Sequence, residues 1–368
     1  MKKNYREKLR KIDLTLLIVT ILLLTFGFVS VLSASYPEGI KKFNDGYYYA
    51  KRHAFFLCLG IAGMVITANM KREYVKKLSP WMFLVTLGLV ALLWTPLAKS
   101  NYGQARWIKL PGIGMKIQPS DFIKVTSVLY IAKILEDNYK KLHKKEVFIV
   151  LFLLIGISAG PILIRDFSTG FVIAAEIGAM YLVAGVYFYQ FLIMGAIASG
   201  GLGLLVFSVS YRKERVMSFF KGTAEKNADE TYQITQALYA IAMGGKTGVG
   251  LFHSRQKYTN LPFAYNDFIF AIICEEFGAL GGILLITLFF IFVCRGYRIA
   301  YKATNYFDKF TAVGLTTFIG IQAVFNIGVS VKFFPVTGIT LPFISYGGTA
   351  LIVSMAAAGL LLRISRDA

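Results

Sequence analysis

Ten apolar stretches, most of them long enough to cross a lipid bilayer, constrain this chain more than any single motif does. The hydrocarbon core of a membrane calls for about 20 apolar residues per helix, and the helix must satisfy its own backbone because no water is there to do so. Candidate spans lie near Leu14 to Ala34, Ala54 to Met70, Trp81 to Leu97, Phe122 to Leu135, Val147 to Ile164, Gly170 to Val186, Phe191 to Val209, Phe268 to Cys294, Phe310 to Val331 and Ile344 to Leu362. With 56% hydrophobic and only 16% charged residues, the composition also belongs to the membrane class. The expected fold is an all-α polytopic membrane protein with ten transmembrane helices, one membrane domain over residues 1–368, without a fixed-period repeat.

An even number of crossings leaves both termini on one side. The lysine-rich start, residues 1–12, makes that side cytoplasmic, and KREYVKK, KKLHKK, the Arg295 to Lys309 connector and RISRDA are short and basic on the same side. The net charge of +20 is spread over loops rather than gathered in an aromatic-interleaved stripe, which points to anionic lipid headgroups and away from nucleic acid. LSAS at the end of the first span resembles a signal-peptidase site, but its apolar run exceeds the usual 7 to 15 residues, so an uncleaved helix is expected. Cys58, Cys274 and Cys294 lie in or at the end of apolar runs and read as small hydrophobes, with no disulfide or thiolate metal site.

The longest connection, residues 210–266, falls between spans seven and eight and is assigned to the extracellular side. Its first part is charged; its second, YQITQALYAIAMGGKTGVGL, repeats apolar residues at helical spacing (Ile234, Ala237, Leu238, Ile241) and predicts an amphipathic, membrane-associated helix ending at Gly244 and Gly245. MGGKTGVG is not a P-loop, because Ala240 stands where GxxxxGK[ST] needs glycine and no strand precedes it. His53, His143 and His253 have no metal-ligand spacing.

The chemistry-bearing residues gather at span ends assigned to the outer side. In NLPFAYNDFIFAIICEEFGALGG, Asp267 stands at the threshold of an apolar run that then carries Glu275 and Glu276. Asp267 reads equally as a helix N-cap. Charges inside the bilayer cost roughly 2.5 to 3.5 kcal/mol even on a lenient scale, so the glutamates should face protein. At 100° per residue Glu275 lies about 80° round the helix from Asp267 and Glu276 about 180°, which makes Glu275 the candidate to share a cavity with Asp267, paired with a cation, and Glu276 a structural contact. ARWIKLPGIGMKIQPSDFIK packs Arg106, Trp107, Lys109 and Lys116 into a loop and sets Asp121 and Lys124 at the start of span four. Lys124 is inside the apolar run and requires a carboxylate or a ligand phosphate. RDFSTG adds Asp166, readable as a cap beside Arg165. Cations for a diphosphate and a carboxylate for a proton, on one side of a bundle, suit an anionic lipid-linked substrate.

These segments, with the SAS end of span one, YRKERVMSFF and above all TGITLPFISYGG (Thr337 to Gly348), resemble the SEDS family (shape, elongation, division, sporulation), peptidoglycan glycosyltransferases that include FtsW, RodA and a sporulation homologue. The match runs over nearly the whole chain, and TGITLPFISYGG with SRQK leans towards FtsW. Two departures stand out: PFAYND replaces the family's PEAHTD, with Phe263 and Tyr265 for its Glu and His, and RDFSTG lacks the proline before Asp166.

The resemblance implies that Asp267 is catalytic, the general base that takes a proton from a sugar hydroxyl. It implies substrate-binding roles for Arg106, Trp107, Lys124, Asp166 and Glu275. The implied activity polymerises lipid II into glycan strands at the outer face of the bacterial cytoplasmic membrane, releasing undecaprenyl pyrophosphate, for cell division or cell shape. Implied partners are lipid II, the growing lipid-linked glycan, a class B penicillin-binding protein and other divisome or elongasome proteins. A divalent cation, Mg²⁺ or Mn²⁺, is a family-level expectation without a ligand cage in the sequence; no organic cofactor is implied. Two other readings are a lipid II flippase, which should show discontinuous helices or a repeat that the sequence does not reveal, and a non-enzymatic scaffold.

Overall fold

The computed structural model describes residues 12–96, 98–101, 104–109, 116–207, 228–259 and 261–368. Among them, eight helices are long and apolar enough to cross a membrane: α1 (Leu14–Phe43), α2 (Tyr48–Asn69), α3 (Arg72–Ala91), α5 (Lys145–Arg165), α6 (Phe167–Ala184), α10 (Ile269–Lys302), α11 (Tyr306–Ser330) and α12 (Gly348–Asp367). Two more, α4 (Pro119–Asp137) and α7 (Phe188–Phe207), are of similar length. Most of α4 is buried, from Pro119 to Leu135. A helix enclosed by protein need not be compatible with lipid, which is how α4 carries Asp121 and Lys124 without being a strongly apolar segment.

The helices close around α11, which packs against α4, α6 and α10, while α2 lies along α12. That second pair meets backbone to backbone: a Cβ at Gly359 would stand 2.3 Å from the Met64 carbonyl oxygen. Small residues permit such an approach, and in lipid close packing takes over much of what the hydrophobic effect does in water.

Three elements depart from expectation. The chain is nearly, not wholly, helical. Residues between α3 and α4 form a three-stranded antiparallel sheet of β1 (Ala98–Asn101), β2 (Gln104–Lys109) and β3 (Lys116–Ile117), with Ile108 opposite both Ala98 and Ile117. A connector outside the helices must still pair its amides, and a ladder does so. Secondly, α1 passes Ala34 and runs through Pro37 to Phe43, so SAS lies within it. Asp13 caps its start by accepting from Leu16 N, and Asn44, left-handed at φ 54°, closes its end. At 1.5 Å per residue this helix reaches about 45 Å against a hydrocarbon core of about 30 Å, so its last turns stand clear of the apolar layer. Thirdly, α10 is broken at Gly278 (φ 68°, ψ −170°) and continues to Lys302.

Of the long connection, the charged part that includes YRKERVMSFF lies outside the described residues. The second part forms α8 (Ala228–Gly244), with Gly245 at φ 53° just beyond it. Ile234, Ala237 and Ala240 of α8 are buried with Phe268, Ala271 and Ile272 at the start of α10. A short helix, α9 (Gln256–Thr259), follows.

Candidate functional site

The turn before α10 is built around a strained phenylalanine. Phe263 has φ 56°, and its carbonyl accepts from Asn266 N at 3.0 Å and Asp267 N at 3.2 Å. The next three carbonyls to need partners are consecutive, and each finds one. Tyr265 O accepts from Tyr346 N (3.0 Å), Asn266 O from Ser345 Oγ (2.6 Å) and Asp267 O from Asn326 Nδ2 (2.9 Å). Asp267 is therefore held at both ends of its own backbone. The N-cap position of α10 falls one residue later, on Phe268. Tyr265 packs on Tyr49 and Tyr346 at ring distances of 4.7 and 5.7 Å, and burial together with its bond to Tyr49 pushes its hydroxyl well above the usual tyrosine range.

Lys124 sits one turn into α4, whose first residue is Pro119, a position that needs no amide donor. Only 4% exposed, Lys124 finds a carboxylate: Nζ lies 3.0 Å from Asp121 Oδ1 and 3.1 Å from Gln322 Oε1, with the Phe318 ring beside it. Asp121 in turn accepts from Thr349 Oγ1 at 2.6 Å.

Asp166 caps α6, accepting from Thr169 N at 3.3 Å and Thr169 Oγ1 at 2.8 Å. Its cation is Arg106, 3.4 Å away on β2, rather than the neighbouring Arg165, which lies over the Trp94 ring. Arg106 also abuts Gly338, where a Cβ would fall 2.3 Å from Nη1, and its buried Nε has no partner among the described residues. Trp107 is the next residue on the strand, so it faces the other side of the sheet.

The two glutamates exchange the roles expected of them. Glu275 pairs with no cation among the described residues: it is fully buried and accepts from Ser254 Oγ (2.5 Å), Arg255 N (2.8 Å) and Gln256 N (3.4 Å), which fastens the segment leading into α9. The lysine goes to Glu276, where Lys257 Nζ (2.6 Å) and Ser33 Oγ of α1 (2.6 Å) meet the same oxygen. A turn below, the helix break would strand carbonyls. Residues 245–250 fill it: Val249 N and Gly250 N donate to Glu275 O and Glu276 O, while Ala279 N and Leu280 N donate to Gly245 O and Lys246 O. A discontinuous helix thus exists, contrary to the sequence reading, but its freed groups bind the chain's own backbone.

The clusters of Asp267, Lys124 and Arg106 share one hub, the loop Thr337 to Gly348. Arg106 touches Gly338, Asn326 bonds Ile339 O (2.8 Å), Gln322 bonds Thr340 O (2.8 Å), and Ser345 and Tyr346 hold the Asp267 turn. Sequence reasoning singled this loop out without giving it a task, and it passed over Gln322 and Asn326. The signal was present: two amides four residues apart in an apolar run face protein for the same reason a charge does. Among the described residues no three His, Cys, Asp or Glu side chains converge to hold a metal ion. Asp121 and Asp166 are engaged by lysine, arginine and threonine donors, so these residues do not form a cage for a divalent cation.

A sequence model of the FtsW/RodA/SpoVE family, described as a cell cycle protein, matches residues 13–368. Stage V sporulation protein E of Bacillus subtilis is 38% identical over 358 residues, covering 96% of this chain and 97% of that protein. A probable peptidoglycan glycosyltransferase FtsW from a Geobacter species is 34% identical over 356 residues, covering 96% of each. In fold, the chain superposes on a subunit of a peptidoglycan synthase complex with a TM-score of 0.80 at 24% identity, over 97% of this chain and 98% of that one. A multi-pass helical bundle, the motifs gathered at one of its ends and these relatives over nearly full length agree: this chain belongs to the FtsW/RodA/SpoVE family, the SEDS membrane proteins.

Proposed function

We propose that the protein is a peptidoglycan glycosyltransferase that polymerises lipid II at the outer face of the bacterial cytoplasmic membrane, in cell division or cell-shape maintenance. The observation that carries the reading is the convergence of Asp267, the Lys124–Asp121 pair and the Arg106–Asp166 pair on the one loop 337–348. In this reading the Asp267 carboxylate accepts the proton of a sugar C4 hydroxyl as its oxygen bonds to the anomeric carbon of the glycan donor. The anomeric C–O bond to phosphate breaks with its electron pair, and undecaprenyl pyrophosphate leaves. Such proton transfer is typically worth 10² to 10⁴ in rate, here roughly 3 to 5 kcal/mol of barrier.

Lys124 and Arg106 would meet the growing diphosphate charge. Each is paired with a carboxylate in the structure, yet each carboxylate has a threonine donor of its own, Thr349 for Asp121 and Thr169 for Asp166. The cations can therefore turn to phosphate while each carboxylate keeps a hydrogen-bond donor. Glu275 serves by fastening the Ser254 to Gln256 segment, and Trp107 is assigned to the outer sheet surface. A divalent cation, Mg²⁺ or Mn²⁺, would supply further positive charge against the diphosphate.

The proposal includes ten crossings, with α4 and α7 counted as spans, both termini cytoplasmic and the 210–266 connection outside. It also includes a class B penicillin-binding protein, with other divisome or elongasome proteins, as partner. The filled break at Gly278 gives the flippase reading no open half-helix end for a substrate. The test is purified protein with its partner transpeptidase and labelled lipid II: wild type makes glycan chains and Asp267→Asn makes none. Full polymerisation by Asp267→Asn would remove Asp267 from the mechanism as the base, whereas no polymerisation by the wild-type protein with its partner would favour a scaffold or a flippase.

A further inference from the structure

Gln322 and Asn326 lie four residues apart on α11, so they share a face, about 40° apart around the axis and one turn apart along it. Both are 1% exposed, in a helix otherwise rich in apolar residues. Their chemistry fixes which way each amide points. Asn326 Nδ2 lies between two carbonyl oxygens, Asp267 O at 2.9 Å and Ile339 O at 2.8 Å, and only an NH₂ group can serve two acceptors. Gln322 Oε1 faces the Lys124 ammonium at 3.1 Å, which is donor only, while its Nε2 donates to Thr340 O at 2.8 Å and Thr340 Oγ1 at 3.3 Å. One amide thus bridges Asp267 to Ile339 and the other bridges Lys124 to Thr340, and Ile339 and Thr340 are adjacent in the chain.

We propose that Gln322 and Asn326 are positioning residues that set Asp267 and Lys124 in fixed relation to each other through the backbone of residues 339 and 340. The proposal rests on Asp267 acting as the base. Neither amide can carry a proton from the sugar or charge to the phosphate, so what they supply is geometry. The rest of the Asp267 turn has its own holds, Ser345 Oγ on Asn266 O and Tyr346 N on Tyr265 O. Loss of Asn326 therefore removes the hold on the Asp267 carbonyl and leaves the turn folded. Misplacing a reacting group by about 1 Å costs on the order of 10²-fold in rate.

The experiment measures kcat and KM for lipid II polymerisation by the full chain with its partner transpeptidase, for wild type, Asn326→Ala, Gln322→Ala and the double variant, with thermal unfolding of each. Asn326→Ala is expected to lower kcat on the order of 10²-fold with KM nearly unchanged, because Asp267 acts in the transition state and not in binding. Gln322→Ala, which loosens Lys124, is expected to lower kcat likewise, because Lys124 meets charge that grows in the transition state. The double variant is expected to lose less than the product of the two, since both act through one stretch of backbone. A merely structural role predicts instead that kcat, substrate binding and unfolding temperature fall together, and that pattern overturns the proposal. Asn326→Asp is the variant for the case in which alanine does not fold: it keeps the size and replaces the NH₂ group that serves both carbonyls with an oxygen, and wild-type kcat in it overturns the proposal equally. If Asp267→Asn is inactive while Asn326→Ala is wild type, the positioning inference alone fails; if Asp267→Asn is active, the base assignment fails first.

Discussion

Lys257→Met should unfold this protein more readily than its size suggests, and adding Glu276→Gln should restore most of what is lost. The Lys257 and Glu276 side chains are each 1% exposed and 2.6 Å apart, and Lys257 also donates to Ser33 Oγ at 2.8 Å. Methionine keeps the stem's packing but leaves the Glu276 carboxylate with Ser33 as its hydrogen-bond donor. Breaking a buried pair from one side costs about 3 to 5 kcal/mol because the other charge is stranded, whereas replacing both partners by neutral groups of similar volume is often close to neutral. The expected order is therefore wild type and double variant close together, with Lys257→Met lower by about 3 kcal/mol or more. Cys274 is buried and Cys58 and Cys294 are exposed. In a background with both exposed thiols changed to serine, labelling of Cys274 by a thiol-reactive dye on heating in detergent reports opening of this region. Equal labelling temperatures for the single and double variants would refute the reasoning, since the loss would then come from lysine packing rather than from a stranded anion.

Two further substitutions test the frame of the site. Gly278→Ala should destabilise by about 1 to 3 kcal/mol, because φ is 68° and a Cβ would stand 2.4 Å from Gly248 N; Gly63→Ala, where a Cβ meets nothing, should be neutral or slightly stabilising in the same thermal assay. Asp166→Asn keeps an acceptor for Thr169 and loses the Arg106 pair, whereas Asp166→Ala loses both; lipid II polymerisation should fall in each, with thermal stability lower by about a further 1 kcal/mol in the alanine variant.

Apolar run length carries the membrane class and most helix positions, because a helix in hydrocarbon is obliged to satisfy itself and so depends on local sequence. The ends of runs are less legible. Polar residues do not stop a helix that is capped and leaves the bilayer, which is why α1 continues beyond Ala34 and α10 beyond Cys294. The sheet that carries Arg106 and Trp107 has no signature in the sequence, since its strands are short and its ladder, not its pattern, makes it.

The sequence by itself marked Lys124, Glu275 and Glu276 as charges within apolar runs, where a charge is costly and needs a partner, and the family resemblance added Asp267, Asp166 and Arg106 at the span ends as candidates. It did not determine whom they meet. Helical phase correctly separated Glu275 from Glu276 but gave them the wrong partners, because the choice of lysine depended on where residues 245–257 fold back against α1 and α10. Asp166 took Arg106 rather than its neighbour Arg165 for the same reason. Partnership among buried polar groups is settled by which donors and acceptors the bundle brings within about 3 Å, and for Asp267 and Lys124 the loop 337–348, with Gln322 and Asn326 beneath it, is where the tertiary structure makes that choice.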